Sequence, residues 1–355
     1  MSGRQGSSST RAGKIRAARL TDLAALGELS RQAQAADSGA RSLGLPVAGP
    51  PIGVFTLFRL PLGAFRPHDL LYVHEVGGRL GGLLRVERDG HRDEWTIVEL
   101  DAVGHGDAGD IRYRLVQACL REVAKRGATR FHVACADRDG NVELFMQAGF
   151  ARYGDELISF RPPDRPLPAP LTEEEVGNLG IRPAGPTDAV ALFRLYSAVT
   201  PQPVQRLEMS RIADWEPQQS GALMPRSSLT PILRFADVET FLIEAPEGAA
   251  DPTAVVGFVQ VGVAKEEQPH YLRILARPGL DAAPLVRFGL GVIAARTERR
   301  DHRRDQGVIA PLRTYESPLE HRLEEEGFGT IATVTLLMKE TLVRVAEPAL
   351  VPAVR

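Results

Sequence analysis

No apolar run in the 355 residues approaches the ~20 that a helix needs to cross a bilayer. Cysteine is nearly absent: Cys119 and Cys135 make neither a disulfide framework nor a metal-ligand spacing. The expectation is a reduced, cytoplasmic protein with no metal. Lysine is scarce too, at Lys14, Lys125, Lys265 and Lys339, the rest of the 43 basic residues being arginine. That bias describes the coding sequence and marks no site. A net charge of −2 gives no global field toward nucleic acid or an anionic membrane, so neither is expected as a partner. Residues Met1–Gly13 lack the apolar core of a signal peptide and read as a disordered tail. What remains is ordinary for a soluble globular chain: 43% hydrophobic and 25% charged residues. The length suits two domains.

One stretch interrupts the pattern. Arg161-Pro162-Pro163-Asp164-Arg165-Pro166-Leu167-Pro168-Ala169-Pro170 is too rich in proline for a helix or a central strand. With the acidic stretch Thr172–Val176, expected as a short turn, it sets a linker at 161–179. The flanking segments resemble each other. Ile15-Arg16-Ala17-Ala18-Arg19-Leu20-Thr21-Asp22 opens the first, and Ile181-Arg182-Pro183-Ala184-Gly185-Pro186-Thr187-Asp188 the second. Each reads as a short strand and a Thr-Asp pair suited to capping a helix.

The middles match as well. Leu80–Val86 parallels Val255–Val261, and Trp95–Leu100 parallels Tyr271–Ala276, all strand-like. Apolar stripes at helical spacing follow: Ile111, Leu115, Val116, Cys119 and Val123 in one half, Leu285, Phe288, Val292 and Ile293 in the other. Next come strands at 130–134 and 307–310. Helices then close on Gly149-Phe150 and Gly327-Phe328, where glycine supplies a left-handed cap. Ser317-Pro318-Leu319-Glu320 reads as a capping box. Last strands are expected at 156–160 and 334–338. The reading is an α/β (α+β) chain of two like domains, 14–160 and 180–342, with tails at 1–13 and 343–355.

This order resembles the GNAT superfamily of acyl-CoA N-acyltransferases, in the opening I-R-x-A-x-x-x-D and in the late helix ending on Gly-Phe. The resemblance implies, for each half, a mixed, mostly antiparallel sheet flanked by helices. Its fourth and fifth strands splay, pantetheine pairs with the fourth, and pyrophosphate rests on the amides that begin the next helix. It implies acetyl-CoA as co-substrate and a small-molecule or peptide amine as acceptor.

The expected cofactor loop of the first half is Val103-Gly104-His105-Gly106-Asp107-Ala108-Gly109-Asp110, with Val103, Gly104, His105, Gly106 and Gly109 as binding residues ahead of a helix near Ile111. Its spacing departs from the family's Arg/Gln-x-x-Gly-x-Gly/Ala, and Asp107 and Asp110 put negative charge near the phosphates. In the second half Arg277 is the candidate, within Arg277-Pro278-Gly279-Leu280-Asp281-Ala282-Ala283-Pro284, where Leu280 takes the glycine position. Glu99 and Asp101, alternating onto one face of a strand, are the candidate general bases. They weigh against a reading as solvated edge charges. The tyrosine that serves many family members as general acid is replaced by Phe145 and Leu323. Tyr153 and Tyr315 lie off that position. His132 and Cys119 read as core residues, and Cys135 as a poor nucleophile candidate. The run Arg299–Asp305 reads as a solvated helix end. Segments 42–69 and 200–237 are expected to line the acceptor site.

The leading expectation is an acyl-CoA-dependent N-acyltransferase with the first half as the better site. The alternative is a GNAT-fold protein without chemistry that binds a ligand or serves a regulatory or structural role. A homodimer is compatible with the sequence.

Overall fold

The computed structural model describes residues 13–34, 42–47, 69–88, 93–104, 107–216, 223, 225–246, 254–264, 268–298 and 306–341. The expected tails apart from Gly13, the basic run Arg299–Asp305 and parts of both acceptor-lining segments lie outside them.

The first half begins with β1 (Lys14–Ala17) and α1 (Leu23–Gln34), then β2 (Asp69–Val76), β3 (Arg79–Arg88) and β4 (Glu94–Ala102). It continues through α2 (Ala108–Ala124), β5 (Arg130–Ala136), α3 (Asn141–Gln147) and β6 (Ala151–Arg161). The stretch 162–179 carries one short helix, α4 (Glu173–Asn178), begun by a capping box between Thr172 and Glu175. The second half repeats the order with β7 (Ile181–Pro183), α5 (Ala189–Val199), α6 (Gln202–Glu208), β8 (Phe235–Glu244), β9 (Val255–Ala264) and β10 (His270–Ala276). It ends with α7 (Ala283–Glu298), β11 (Val308–Arg313), α8 (Ser317–Glu325) and β12 (Gly329–Glu340).

The repeat has a shared physical anchor. Arg16 makes a two-pronged ion pair with Asp22 at 2.7 and 2.9 Å, and Asp22 also accepts the Arg19 amide at 2.7 Å. Arg182 binds Asp188 the same way at 2.8 and 2.9 Å, and Asp188 accepts the Gly185 amide at 2.7 Å. The third arginine nitrogen reaches Glu75 on β2 or Glu244 on β8. The Thr-Asp pairs therefore do not cap through threonine. The aspartate closes a tight turn against the first strand. The Gly-Phe endings also match: Gly149 and Gly327 both sit at φ +88, and Phe150 and Phe328 bond back to Phe145 and Leu323. The capping box expected at Ser317–Glu320 does not form: the N-cap is Glu316, with no side-chain bond.

The expectation of a separate sheet in each half is corrected. All twelve strands among the described residues join one sheet, in the order β1-β2-β3-β4-β5-β12-β6-β11-β10-β9-β8-β7. The order is symmetric about the β12–β6 boundary. Each half's last strand crosses over: β12 pairs with β5, and β6 pairs with β11, all antiparallel. The exchange follows from the chain path. Arg161 ends β6 by donating to the carbonyls of Glu326, Arg165 and Pro166, each at 2.8 Å. Leu167, Leu171, Val176 and Leu179 then pack on the second half's core, leading the chain to the far edge. The predicted helix stripes are buried. Ile111, Leu115, Val116, Cys119 and Val123 enter one core, and Leu285, Phe288 and Ile293 another. A third cluster draws Ala134, Ile158, Leu229, Tyr271, Val334 and Leu336 from both halves.

Because the central strands are exchanged, neither half is complete alone. Cleaving the exposed linker near Asp164 should leave two fragments that co-elute in size exclusion and unfold together. Fragments 1–165 and 166–355 expressed separately should lack cooperative unfolding by circular dichroism. A folded, monomeric single fragment would contradict the exchange.

Candidate active site

Two strand pairs are parallel, and both come apart. β4 and β5 pair from Glu94–Arg130 to Ile97–Val133 and no further. β10 and β11 pair only at His270–Val308 and Tyr271–Ile309. Beyond those points each pair opens into a wedge leading to the start of the next helix. The two wedges stand at matching places in the two halves and differ in their contents.

In the first wedge, Glu99 and Asp101 lie two residues apart on the same side of β4. Asp101 is buried at 3% exposure and Glu99 is half-buried. Burial, and then the charge of Glu99, push the Asp101 carboxyl up to about 9, with Arg112 opposing. Ser30 of α1 donates to Glu99 at 2.8 Å. On the β5 side, Leu43 accepts the Ala136 amide at 2.8 Å. Asn141, fully buried, donates to the carbonyls of Ser42, Leu43 and Ala136 and accepts from Arg112. Segment 42–45 thus covers the β5 edge, while among the described residues no strand pairs with the β5-facing edge of β4 past Ile97.

The loop after β4 is partly described. The Val103 amide is spent on Gly81 at 3.0 Å. Gly104 takes φ +130 with open space where a Cβ would stand. His105 and Gly106 lie outside the described residues. The helix begins at Ala108, a turn earlier than expected, so Gly109 sits in its first turn. Asp107 is the N-cap and makes no capping bond with its side chain.

The second wedge is bridged. Arg273, 2% exposed, binds both oxygens of Glu316 at 2.6 and 2.7 Å. The same guanidinium donates to the carbonyls of Ile274 on β10 and Pro311 on β11, each at 3.2 Å, joining the two strands where they diverge. The loop is closed as well. Arg277 and Leu280 spend their amides on Val256 and within the turn. Asp281 accepts the Ala283 amide at 3.2 Å, and Leu280 packs on the core. Arg277 is therefore in the expected loop, but few amides remain there to meet an anion.

No protein-family model and no curated relative matches the sequence. Among solved structures, a tandem GNAT protein from the clavulanic acid biosynthesis pathway aligns at a TM-score of 0.52 and 16% identity, over 92% of this chain and 98% of that one. A GCN5-related N-acetyltransferase from Sphaerobacter thermophilus gives 0.52 at 13% identity, over 93% and 96%. The chain has the tandem GNAT fold. Its two wedges are the places where that fold was expected to splay.

Other residues of a GNAT-type site fall as follows. Phe145 and Leu323, at the tyrosine positions, are buried core residues. Tyr153 lies under the Arg313 guanidinium, 5.9 Å from its ring centroid, and burial pushes its hydroxyl up to about 12. His132 is buried against Glu94 at 3.1 Å, and desolvation lowers it to about 4, so it stays neutral. Burial raises the Cys135 thiol to about 12, which leaves no thiolate for nucleophilic work at neutral pH. A cavity of about 520 Å³ lies between residues of 208–216, 223 and 225–234 and the first half's sheet. Thr96, Ile97, Val98, His132, Tyr153, Tyr196, Trp215 and Arg226 are among its walls. Its walls draw on the segment 200–237 and include Leu45 from the first half's segment. Sequence reasoning missed Ser30, Arg112, Asn141, Arg273 and Glu316. Arg273 alone carried a signal, as a lone charge in an apolar strand that must find a carboxylate.

The raised Asp101 carboxyl makes a pH prediction. Unfolding lets Asp101 return to a normal carboxylate, so between about pH 4 and about 9 the unfolded state binds fewer protons at this site. Asp101 therefore costs the fold progressively more as pH rises through that window. Asp101→Asn should gain stability relative to wild type between pH 5 and pH 8 by more than about 1 kcal/mol in urea titrations. A constant difference would mean that the carboxyl is not held protonated.

Proposed function

We propose that this chain is an acyl-CoA-dependent N-acyltransferase, acetyl-CoA being the donor and an amine the acceptor, with chemistry confined to the first half. The observation that carries the reading is the contrast between the wedges. One presents an unpaired strand edge beside a carboxyl pair. The other is tied across by Arg273 and Glu316. An extended pantetheine arm pairs with the open β4 edge by backbone hydrogen bonds, as an added strand does. Its pyrophosphate lies at the start of α2, where free amides and the helix dipole favour an anion. The acceptor reaches the thioester from the cavity between the halves, which runs along β4 to Val98, next to Glu99. The second half then acts as a wall of the acceptor site, through its segment 208–234.

Two matched substitutions test the assignment. Gly104 and Gly279 both stand in positive-φ loop positions, with nothing within 4 Å of the place a Cβ would occupy. Gly104→Glu puts a negative charge in the first loop and should weaken acetyl-CoA at least about tenfold in calorimetric titration. Gly279→Glu does the same in the second loop and should leave affinity and a stoichiometry of one per chain unchanged. The reverse pattern would move the site to the second half. Binding without turnover would favour the rival reading, a ligand-binding module, which the buried Phe145 supports.

A further inference from the structure

The acyltransferase reading leaves one chemical step without a residue. Attack of an amine on a thioester forms a C–N bond and breaks a C–S bond. The nitrogen must lose a proton and the departing sulfur must gain one. The position that supplies the acid in many GNAT enzymes holds Phe145, fully buried. Tyr153 is committed to the Arg313 end of the cavity.

We propose that Glu99 and Asp101 act as one unit that supplies both proton transfers, Glu99 taking the proton of the attacking amine and Asp101 giving its own to the departing thiolate. The proposal rests on the acyltransferase reading above. Its geometry is that of two carboxyls two residues apart on one side of β4, at the edge along which a thioester would lie. Their surroundings divide the labour. Asp101 is buried, and burial together with the charge of Glu99 pushes its carboxyl up, toward the protonated form. Glu99 is half-buried and oriented by the Ser30 hydroxyl of α1.

The charged groups around the pair leave this arrangement intact. From α2, Arg112 attracts charge onto Asp101 but is outweighed by burial and by Glu99. From β3, Arg85 lies opposite Glu99 in register and is engaged by Glu87 at 2.6 Å and Asp69 at 3.6 Å. Leu83 faces Asp101 and brings no charge.

The protons balance. The neutral amine adds to the thioester carbonyl, and Glu99 accepts the proton from nitrogen. The tetrahedral intermediate collapses, the C–S bond breaks, and the Asp101 proton goes to sulfur. The pair then holds one proton as before, now on Glu99, and it passes back to the neighbouring Asp101. The products are the amide and free CoA thiol, with no further reactant. Two like charges cannot both be ionised cheaply at this separation, which is what keeps one proton available.

Two measurements on the full chain test the proposal. The first labels aspartate side-chain carboxyls with carbon-13 and identifies Asp101 as the resonance lost in Asp101→Asn. It should titrate near pH 9, and Glu99→Gln should lower that midpoint by at least about one pH unit. Titration near pH 4, or a midpoint that ignores Glu99→Gln, overturns the shared proton. The second follows CoA release from acetyl-CoA with hydroxylamine, a small amine that is neutral at pH 7.5. Wild type should accelerate release, and each variant should lose about 100-fold or more. With S-(4-nitrophenyl) thioacetate, whose thiolate leaves without a proton, Asp101→Asn should return to within about threefold of wild type and Glu99→Gln should remain slow. Equal losses with both donors, or no acceleration by wild type, overturn the division of roles. Failure of acetyl-CoA to bind in calorimetry is a separate result that removes the acyltransferase reading, and this proposal with it, while the carboxyl titration still reports on the pair.

Discussion

The antiparallel pairing of β12 with β6 is the constraint on which the rest of the structure depends. These are the last strands of the two halves, and they lie side by side at the pseudo-twofold centre of the sheet. Each is also bonded to the other half's fifth strand. The backbone donors and acceptors of the centre are therefore satisfied only when both halves are present. The two halves are thereby joined into one continuous sheet. The central cluster around Ile158, Tyr271, Val334 and Leu336 exists only in the joined sheet. So does the cavity that has walls from both halves.

Inside that symmetric frame the two wedges have diverged through a few side chains. A splayed parallel pair leaves backbone groups unpaired at the divergence, and these need a partner. In the second half Arg273 provides donors to both strands, and Glu316 neutralises it. Taking a guanidinium from water is expensive unless its hydrogen bonds are nearly complete. Here the bidentate carboxylate and two carbonyls meet that condition. In the first half the bonds from Glu94 to Arg130 and His132 join β4 to β5 at the paired end, and among the described residues no such bond joins them past Ile97. The segment at Leu43 covers the β5 edge alone, held by Asn141. The asymmetry of function proposed for the halves thus comes down to what satisfies one open strand edge in each.

Most of the fold was legible because it is repeated and periodic. The helical stripes and the Gly-Phe caps appear where spacing placed them. The R…D pairs of the opening motif were visible as letters, although their role was misread: the aspartates bind arginine and close a turn, and no threonine caps a helix there. The exchange of last strands was not legible. β6 and β12 have the same pattern whichever half they join, and only the pinning of Arg161 and the path of the linker decide it. At the site, the alternation of Glu99 and Asp101 is a period-two signal and was readable. The partners were not. Ser30, Arg112 and Asn141 meet the wedge from α1, α2 and α3, at separations that no local pattern encodes. Glu316 lies 43 residues from Arg273 and joins it only because the sheet brings β10 beside the end of β11.

The carboxyl pair also shows why the first wedge does not look optimised for stability. A buried aspartate beside a glutamate opposes folding at neutral pH, and a leucine at either place would relieve it. The second half has taken the stabilising course: its strand presents Arg273 to a matched carboxylate, its loop is capped by Asp281, and a leucine fills the glycine position. The first half keeps an unmatched pair of like groups, with Arg112 near enough to moderate the charge but bonded to Asn141. Unfavourable electrostatics present in one half and absent from the matching place in the other are the pattern expected where one half performs proton transfer and the other supports it. The same comparison explains how a single sheet accommodates both. The rigid centre made by β6 and β12 lets one wedge remain costly while the other contributes stability.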